Sequence, residues 1–171
     1  MPTDGEGAVG DEPPDEGDAF GDATQRAYAI LAQRDHSREE LRSKLVDRGC
    51  EPHTVERLLS SLERAGLLDD ARFAERFVRS QRESRGKSHS AIARALRDKG
   101  VSDDDARAAV GLLGDDFPFA LAAARKKAAG TRGLARDVRL RRTLGVLGRR
   151  GFGGSVARRA AEQALEEDDG E

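Results

Sequence analysis

A single cysteine, Cys50, excludes an internal disulfide and points to a reducing compartment. Tryptophan is absent, tyrosine occurs once, and aromatics make up only 4% of the 171 residues, so no large aromatic core is available. Apolar residues reach only 37%, which leaves a thin core spread along the chain in place of one large globule. No apolar run approaches the roughly 18 residues that would cross a bilayer. Residues 1–25 contain eight acids and no lysine or arginine, the wrong composition for a signal or transit peptide. The cytoplasm is therefore the expected compartment. No stretch alternates with period two over strand length, so strands are not expected. His36, His53 and His89 lack metal-ligand spacing, and Cys50 with His53 supplies only two of the four ligands a structural zinc needs. No Ser/His/Asp or Cys/His set stands out. The chain is read as a non-enzyme without metal or cofactor.

What the sequence does contain is a period. Gly49, Gly100 and Gly151 are spaced by 51 residues, with Leu45, Leu96 and Leu147 before them and Cys50, Val101 and Phe152 after. Val55/Leu58/Leu59/Leu62 lines up with Ala106/Ala109/Val110/Leu113 and with Ala157/Ala160/Ala161/Ala164. A period of this size makes one supersecondary unit per repeat, and stacked copies present an extended surface. Such a chain is built to hold something long.

Helical spacing predicts three helices per repeat. Ala23, Ala27, Ile30 and Leu31 share one face, with Asp22 as the cap. Ser37 and Glu40 form a capping box before Leu41 and Leu45, and Gly49 ends that helix. Pro52 suits a first turn, and Val55, Leu58, Leu59 and Leu62 follow at i, i+3, i+4, i+7. In the second repeat Asp69 or Asp70 caps Phe73 and Phe77, Ser88 or Ser90 opens the helix of Ile92 and Leu96, and Ser102 with Asp105 makes another box. The third begins near Asp116, breaks at Gly130–Gly133, and continues through Leu140, Leu144 and Leu147, with an alanine-rich helix last. Gly145 and Gly148 cost about 1 kcal/mol each relative to alanine and are expected to kink or shorten their helix. The expected divisions are a disordered acidic tail over 1–21, repeats over 22–66, 67–115 and 116–165, and an acidic tail over 166–171.

Charge is distributed unevenly. Residues 1–25 carry −8 and 162–171 carry −6, whereas 118–161 hold twelve bases against Asp137 alone. Lys126, Lys127, Arg132, Arg136, Arg139, Arg141, Arg142, Arg149 and Arg150 are the candidate residues for phosphates or another acidic surface. Arg132, Arg136 and Arg139 fall at i, i+4, i+7, hence on one helical face. Arginine outnumbers lysine 25 to 5, which suits bidentate recognition of phosphate or carboxylate. The N-terminal acids are expected to fold back on this basic repeat. The GFGGS run at 151–155 lacks the lysine of a phosphate loop and is read as a turn.

Residues 66–101, GLLDDARFAERFVRSQRESRGKSHSAIARALRDKGV, resemble the signature of the RecX family, regulators of the bacterial recombinase RecA. The matching positions are Gly66, Leu67, Asp69, Phe73, Ala74, Phe77, Gly86, Ile92, Leu96, Gly100 and Val101. The run 141–165, with Arg149, Arg150, Gly151 and Phe152, is similar to the family's terminal repeat. The resemblance covers about 24–165. It implies an all-α fold of three tandem three-helix units in an elongated, curved array, binding along a RecA filament on single-stranded DNA, and inhibition of recombinase, ATPase and co-protease activity. Asp69, Asp70, Arg72, Arg76, Arg85 and Lys87 are the candidate filament contacts, although Phe73 and Phe77 read as core and Asp69 and Asp70 as caps. A monomer without membrane association is expected. The alternatives are a general DNA-binding protein acting through the basic third repeat, or a helical adaptor for another protein.

Overall fold

The structure, a computed structural model, describes residues 16–170. Among the described residues there are nine α-helices and no strand: α1 (Glu16–Leu31), α2 (Arg38–Val46), α3 (Pro52–Arg64), α4 (Asp70–Arg85), α5 (His89–Arg97), α6 (Asp103–Gly111), α7 (Phe117–Ala129), α8 (Arg136–Arg149) and α9 (Gly154–Asp169). Their ends follow local side-chain chemistry. Ser37 Oγ accepts from the Glu40 amide at 3.1 Å while the Ser37 amide donates to the Glu40 carboxylate at 3.3 Å, the reciprocal box. Asp69, Ser88 and Ser102 cap α4, α5 and α6 by accepting from the amides of Arg72, Ala91 and Asp105. The periodic glycines all adopt left-handed φ, 84°, 76° and 88° at Gly49, Gly100 and Gly151. Each lets the next amide, that of Cys50, Val101 or Phe152, donate back to the carbonyl of Leu45, Leu96 or Leu147. The repeated sequence motif is thus a repeated helix stop.

Two ends differ from expectation. α1 begins at Glu16, six residues before the expected cap Asp22, which lies inside the helix. Phe20 gives this extra turn something to pack on, with the Arg57 guanidinium over its ring at 5.5 Å. The expected tail over 1–21 is therefore helical from 16, and residues 1–15, with their expected fold-back, lie outside the described residues. At the other end α9 does not stop at Leu165 but continues through Asp169. The acids of that last turn are held by arginines, as described below. α8 runs unbroken through Gly145 and Gly148.

The chain gathers into two compact units. Among the described residues, one holds Glu16–Asp35 together with Leu41–Leu67. Here α1 packs on α3, and Ala23, Ala27, Ile30, Leu41, Leu45, Val55, Leu58, Leu59 and Leu62 are buried. Arg42 Nε pairs with Glu56 at 2.8 Å to tie α2 to α3, and Arg26 donates to the Arg48 carbonyl at 2.5 Å. The other unit holds His36–Glu40 and Leu68–Glu171. Within it α4, α5 and α6 enclose Phe73, Ala74, Val78, Ile92, Leu96, Val101, Ala106 and Ala109. α7, α8 and α9 enclose a core whose contribution from α7 and α9 is largely alanine. Small side chains let those two helices lie close together.

Inside the second unit one junction occurs twice. Ser37 Oγ donates to the Lys99 carbonyl at 2.5 Å, and the Arg38 amide donates to Asp70 Oδ1 at 2.7 Å. At Ser88, His89 and Arg150, each 51 residues on from Ser37, Arg38 and Lys99, the Ser88 amide donates to the Arg150 carbonyl at 3.0 Å and the His89 amide to the carboxylate of Asp116 at 3.1 Å, while Ser90 Oγ donates to the Gly151 carbonyl at 3.1 Å. Glycine is required on the receiving side. A Cβ at Gly100 would overlap the Glu39 side chain, and one at Gly151 would overlap Ala91 and Ser88. A helix stop of one group therefore seats against a capped helix start of the group before it.

Candidate binding surface

The candidate contacts on α4 divide by role. Asp69 is spent on capping, and Asp70 accepts the Arg38 amide, so both carboxylates hold backbone in place. Arg72 and Arg76 are exposed along α4, Arg85 is exposed at its end, and Lys87 is half-buried with its carbonyl accepting from Arg82. Arg85 does come together with a residue of the other candidate set. A groove of about 280 Å³ is lined by Arg82, Arg85, Gly86, Phe119 and Arg150 among others. A Cβ at Gly86 would sit 3.2 Å from Arg150 Nη1, so the left-handed glycine that ends α4 also makes room for that guanidinium.

Arg82, which no local sequence motif marks, organises this groove. It is 3% exposed. Its guanidinium pairs with Asp116 at 2.7 Å, donates to the carbonyls of Lys87 and Gly114, and lies over the Phe119 ring at 4.4 Å. Burial of a charge is tolerated only when it is paired and hydrogen-bonded in this way. The available signal was position: Ala74, Val78 and Arg82 fall four residues apart, on the stripe that faces the core.

The basic third group is rearranged relative to expectation. α8 begins at Arg136, so Arg132 stands in the turn before it and the three arginines do not share one helix. Arg139 is not a solvent-facing phosphate contact: it is 6% exposed and turned inward. It pairs with Asp168 at 2.5 Å and with Asp169, and donates to the Ala128 carbonyl at 3.3 Å. Arg132 pairs with Asp168 at 2.6 Å, Arg136 with Asp169 at 2.8 Å, and Arg125 with Glu167 at 2.7 Å. The acids that read as a tail are the partners of these four arginines. Hydrogen bonds from Arg125 and then Gln163 hold the Glu167 carboxyl well below its ordinary value, at about 2. Those from Arg132 and Arg139 lower Asp168, and Glu167 in turn raises Arg125.

Lys126, Arg141, Arg142 and Arg149 remain exposed, and Lys127 half-buried; their side chains make no ion pair among the described residues. Arg141, Arg142, Gly145, Gly148 and Arg149 form the exposed face of α8. The cations left to meet a partner are thus the second half of α8 and the end of α7.

Helix groups joined by a repeated capped-start-to-glycine junction, with arginine-rich outer faces, define a tandem helical-repeat protein. Residues 23–62 match the first three-helix domain of RecX and residues 69–110 the second. The regulatory protein RecX of Amycolatopsis mediterranei is 35% identical over 91% of this chain and 89% of its own length. That of Thermobifida fusca is 36% identical over 91% and 88%. The chain belongs to the RecX family. The crystal structure of RecX from Lactobacillus salivarius shares the fold, with a TM-score of 0.76, 21% identity, and coverage of 90% of this chain and 98% of that one. No described helix is long and apolar enough to cross a membrane.

Proposed function

We propose that the chain is a non-enzymatic regulator that binds RecA filaments on single-stranded DNA and inhibits recombinase, ATPase and co-protease activity during DNA repair and the SOS response. It acts in the cytoplasm as a monomer. The observation that carries this reading is the correspondence with proteins named regulatory protein RecX along nine-tenths of the chain. Physically, a chain of repeated helix groups offers several charged faces, which suits a polymer with repeating protomers. Arg72, Arg76 and Arg85 on α4 and Arg150 beside Gly86 are the cations placed to meet acidic protomer surfaces. The test is ATP hydrolysis by RecA on single-stranded DNA with substoichiometric amounts of this protein. Hydrolysis falls and filaments shorten on this reading; unchanged hydrolysis and filament length refute it.

A second reading, DNA binding through the third group alone, draws on the exposed cations Lys126, Arg141, Arg142 and Arg149. Replacing these four by alanine then abolishes inhibition together with affinity for bare single strands. Inhibition that survives the loss of DNA affinity sets this reading aside. Cosedimentation with filaments and with bare DNA, at two salt concentrations, separates the two.

A further inference from the structure

A cleft of about 480 Å³ lies between the ends of α7 and α9, lined by Arg125, Ala129, Arg132, Ala164, Glu167 and Asp168. The acids on its wall do not serve α9. Consecutive carboxylates at a helix C-terminus repel one another and oppose the helix dipole, and α9 has no base in its last turn. What holds them is the set of guanidinium groups from α7, the turn after it, and α8. Each carboxylate is gripped by one or two guanidinium groups, a geometry that also suits phosphate oxygens. Asp168 bridges Arg132 and Arg139, Asp169 bridges Arg136 and Arg139, and Glu167 takes two hydrogen bonds from Arg125 at 2.7 and 2.9 Å.

The pairs differ in how exchangeable they are. Arg139 and Asp168 are both buried, at 7% and 8% side-chain exposure, and form a fixed anchor. Arg125 and Arg136 are each more than half exposed, and their partners Glu166, Glu167 and Asp169 are at least 40% exposed, whereas Arg132 is held by the buried Asp168. Exposed pairs of this kind contribute little and are screened by salt, so a competing polyanion displaces them readily. The Arg139 Nε is buried without a partner among the described residues, so the acids do not satisfy that guanidinium fully.

We infer that this cleft is a phosphate-backbone site for single-stranded nucleic acid, which the acidic last turn of α9 occupies as an internal competitor. The inference rests on the reading that the third helix group meets single-stranded DNA. When a strand arrives, its phosphates replace Glu167 on Arg125 and Glu166 and Asp169 on Arg136, while Asp168 keeps Arg132 and Arg139. Affinity in the free protein is held down, and the exchange makes engagement favourable where DNA is locally concentrated.

The test compares the full chain with the variant Glu166→Gln/Glu167→Gln/Asp169→Asn, which spares Asp168. A control, Glu51→Gln/Asp98→Asn/Asp104→Asn, removes the same charge at exposed positions elsewhere. Binding of an oligothymidylate is followed by fluorescence anisotropy across a salt series, with helicity checked by circular dichroism. The variant binds roughly tenfold more tightly at low salt, and its log–log salt slope steepens by about 0.7 for each phosphate taken up, about 1.4 for two arginines. The control gains clearly less. Adding Arg125→Ala/Arg136→Ala to the variant reverses the gain. Equal gains in variant and control reduce the effect to net charge and overturn the inference, as does no gain at all. A variant that gains affinity only for polyglutamate overturns the assignment to nucleic acid. Inhibition of RecA by the unmodified chain is read in a separate assay, so failure of the regulatory reading and failure of this one are distinguishable.

Discussion

Gly148 and Gly151, three residues apart, show how differently one residue type is used. Gly148 lies inside α8 with ordinary helical backbone, and a Cβ there would meet nothing within 4 Å. Gly148→Ala therefore stabilises the second unit, by about 0.5–1 kcal/mol, through helix propensity alone. Gly151 has φ 88°, and its Cβ would overlap Ala91 and Ser88 across the junction. Gly151→Ala adds left-handed strain to overpacking and destabilises by about 2–4 kcal/mol. Urea midpoints at constant slope check the pair, and a similar sign for both substitutions would show that the junction does not press on Gly151. The sequence period already marked Gly151 as a stop. It gave no sign of the second role, because the residues that crowd it lie about 60 positions away. Arg82 was hidden for a related reason: its partner Asp116 is distant in sequence, and an arginine on a surface-rich helix reads as solvated.

Whole helices were legible where their determinants are local. Ser37 and Ser102 cap as expected, and of the pairs Asp69/Asp70 and Ser88/Ser90 the first member is the cap, since each cap needs only residues within three positions. Both outer ends were misread, since Glu16–Gly21 and Glu166–Asp169 are poor helix by composition and are stabilised by residues 30–42 positions away. α9 carries a direct consequence. Glu167 has its carboxyl lowered to about 2 from an ordinary 4.5, first by the Arg125 hydrogen bond and then by that of Gln163. A depressed carboxyl stabilises the folded turn fully above its unfolded value, and that contribution is lost as pH falls from about 4.5 towards 2. Carbon-detected NMR titration of the Glu167 carboxyl is expected to give a midpoint well below 4, and Arg125→Gln is expected to raise it. A midpoint near 4.5 in the unmodified protein would mean that the last turn is unpaired in solution.

A junction that repeats raises the question of what stops a further group from adding, and at both places where one would dock an arginine stands in the way. Positions 37, 88 and 139 are equivalent under the 51-residue period, and the third is arginine where the first two are serine. Ser37 and Ser88 present a capped helix start; Arg139 lies within α8, one turn from its start, and turns inward to Asp168 and Asp169. No serine-capped start is left at that point to receive another glycine stop. On the receiving side, the carbonyls of Lys99 and Arg150 are taken by Ser37 and Ser88, whereas that of Arg48 is taken by Arg26 of α1. A second copy thus finds neither half of the junction available. Sedimentation velocity is expected to show a single species near 18.5 kDa across a wide concentration range. Arg26→Ala frees the Arg48 carbonyl but supplies no serine-capped start to meet it, so the variant is expected to stay monomeric as well. Association of Arg26→Ala alone would place the block entirely on Arg26, and association of the unmodified chain would show that helix groups add by a contact other than this junction. The one change that removes an arginine and restores the period, Arg139→Ser, also strips Asp168 of its buried partner. It is expected to lower stability, because the same arginine anchors the acidic turn of α9.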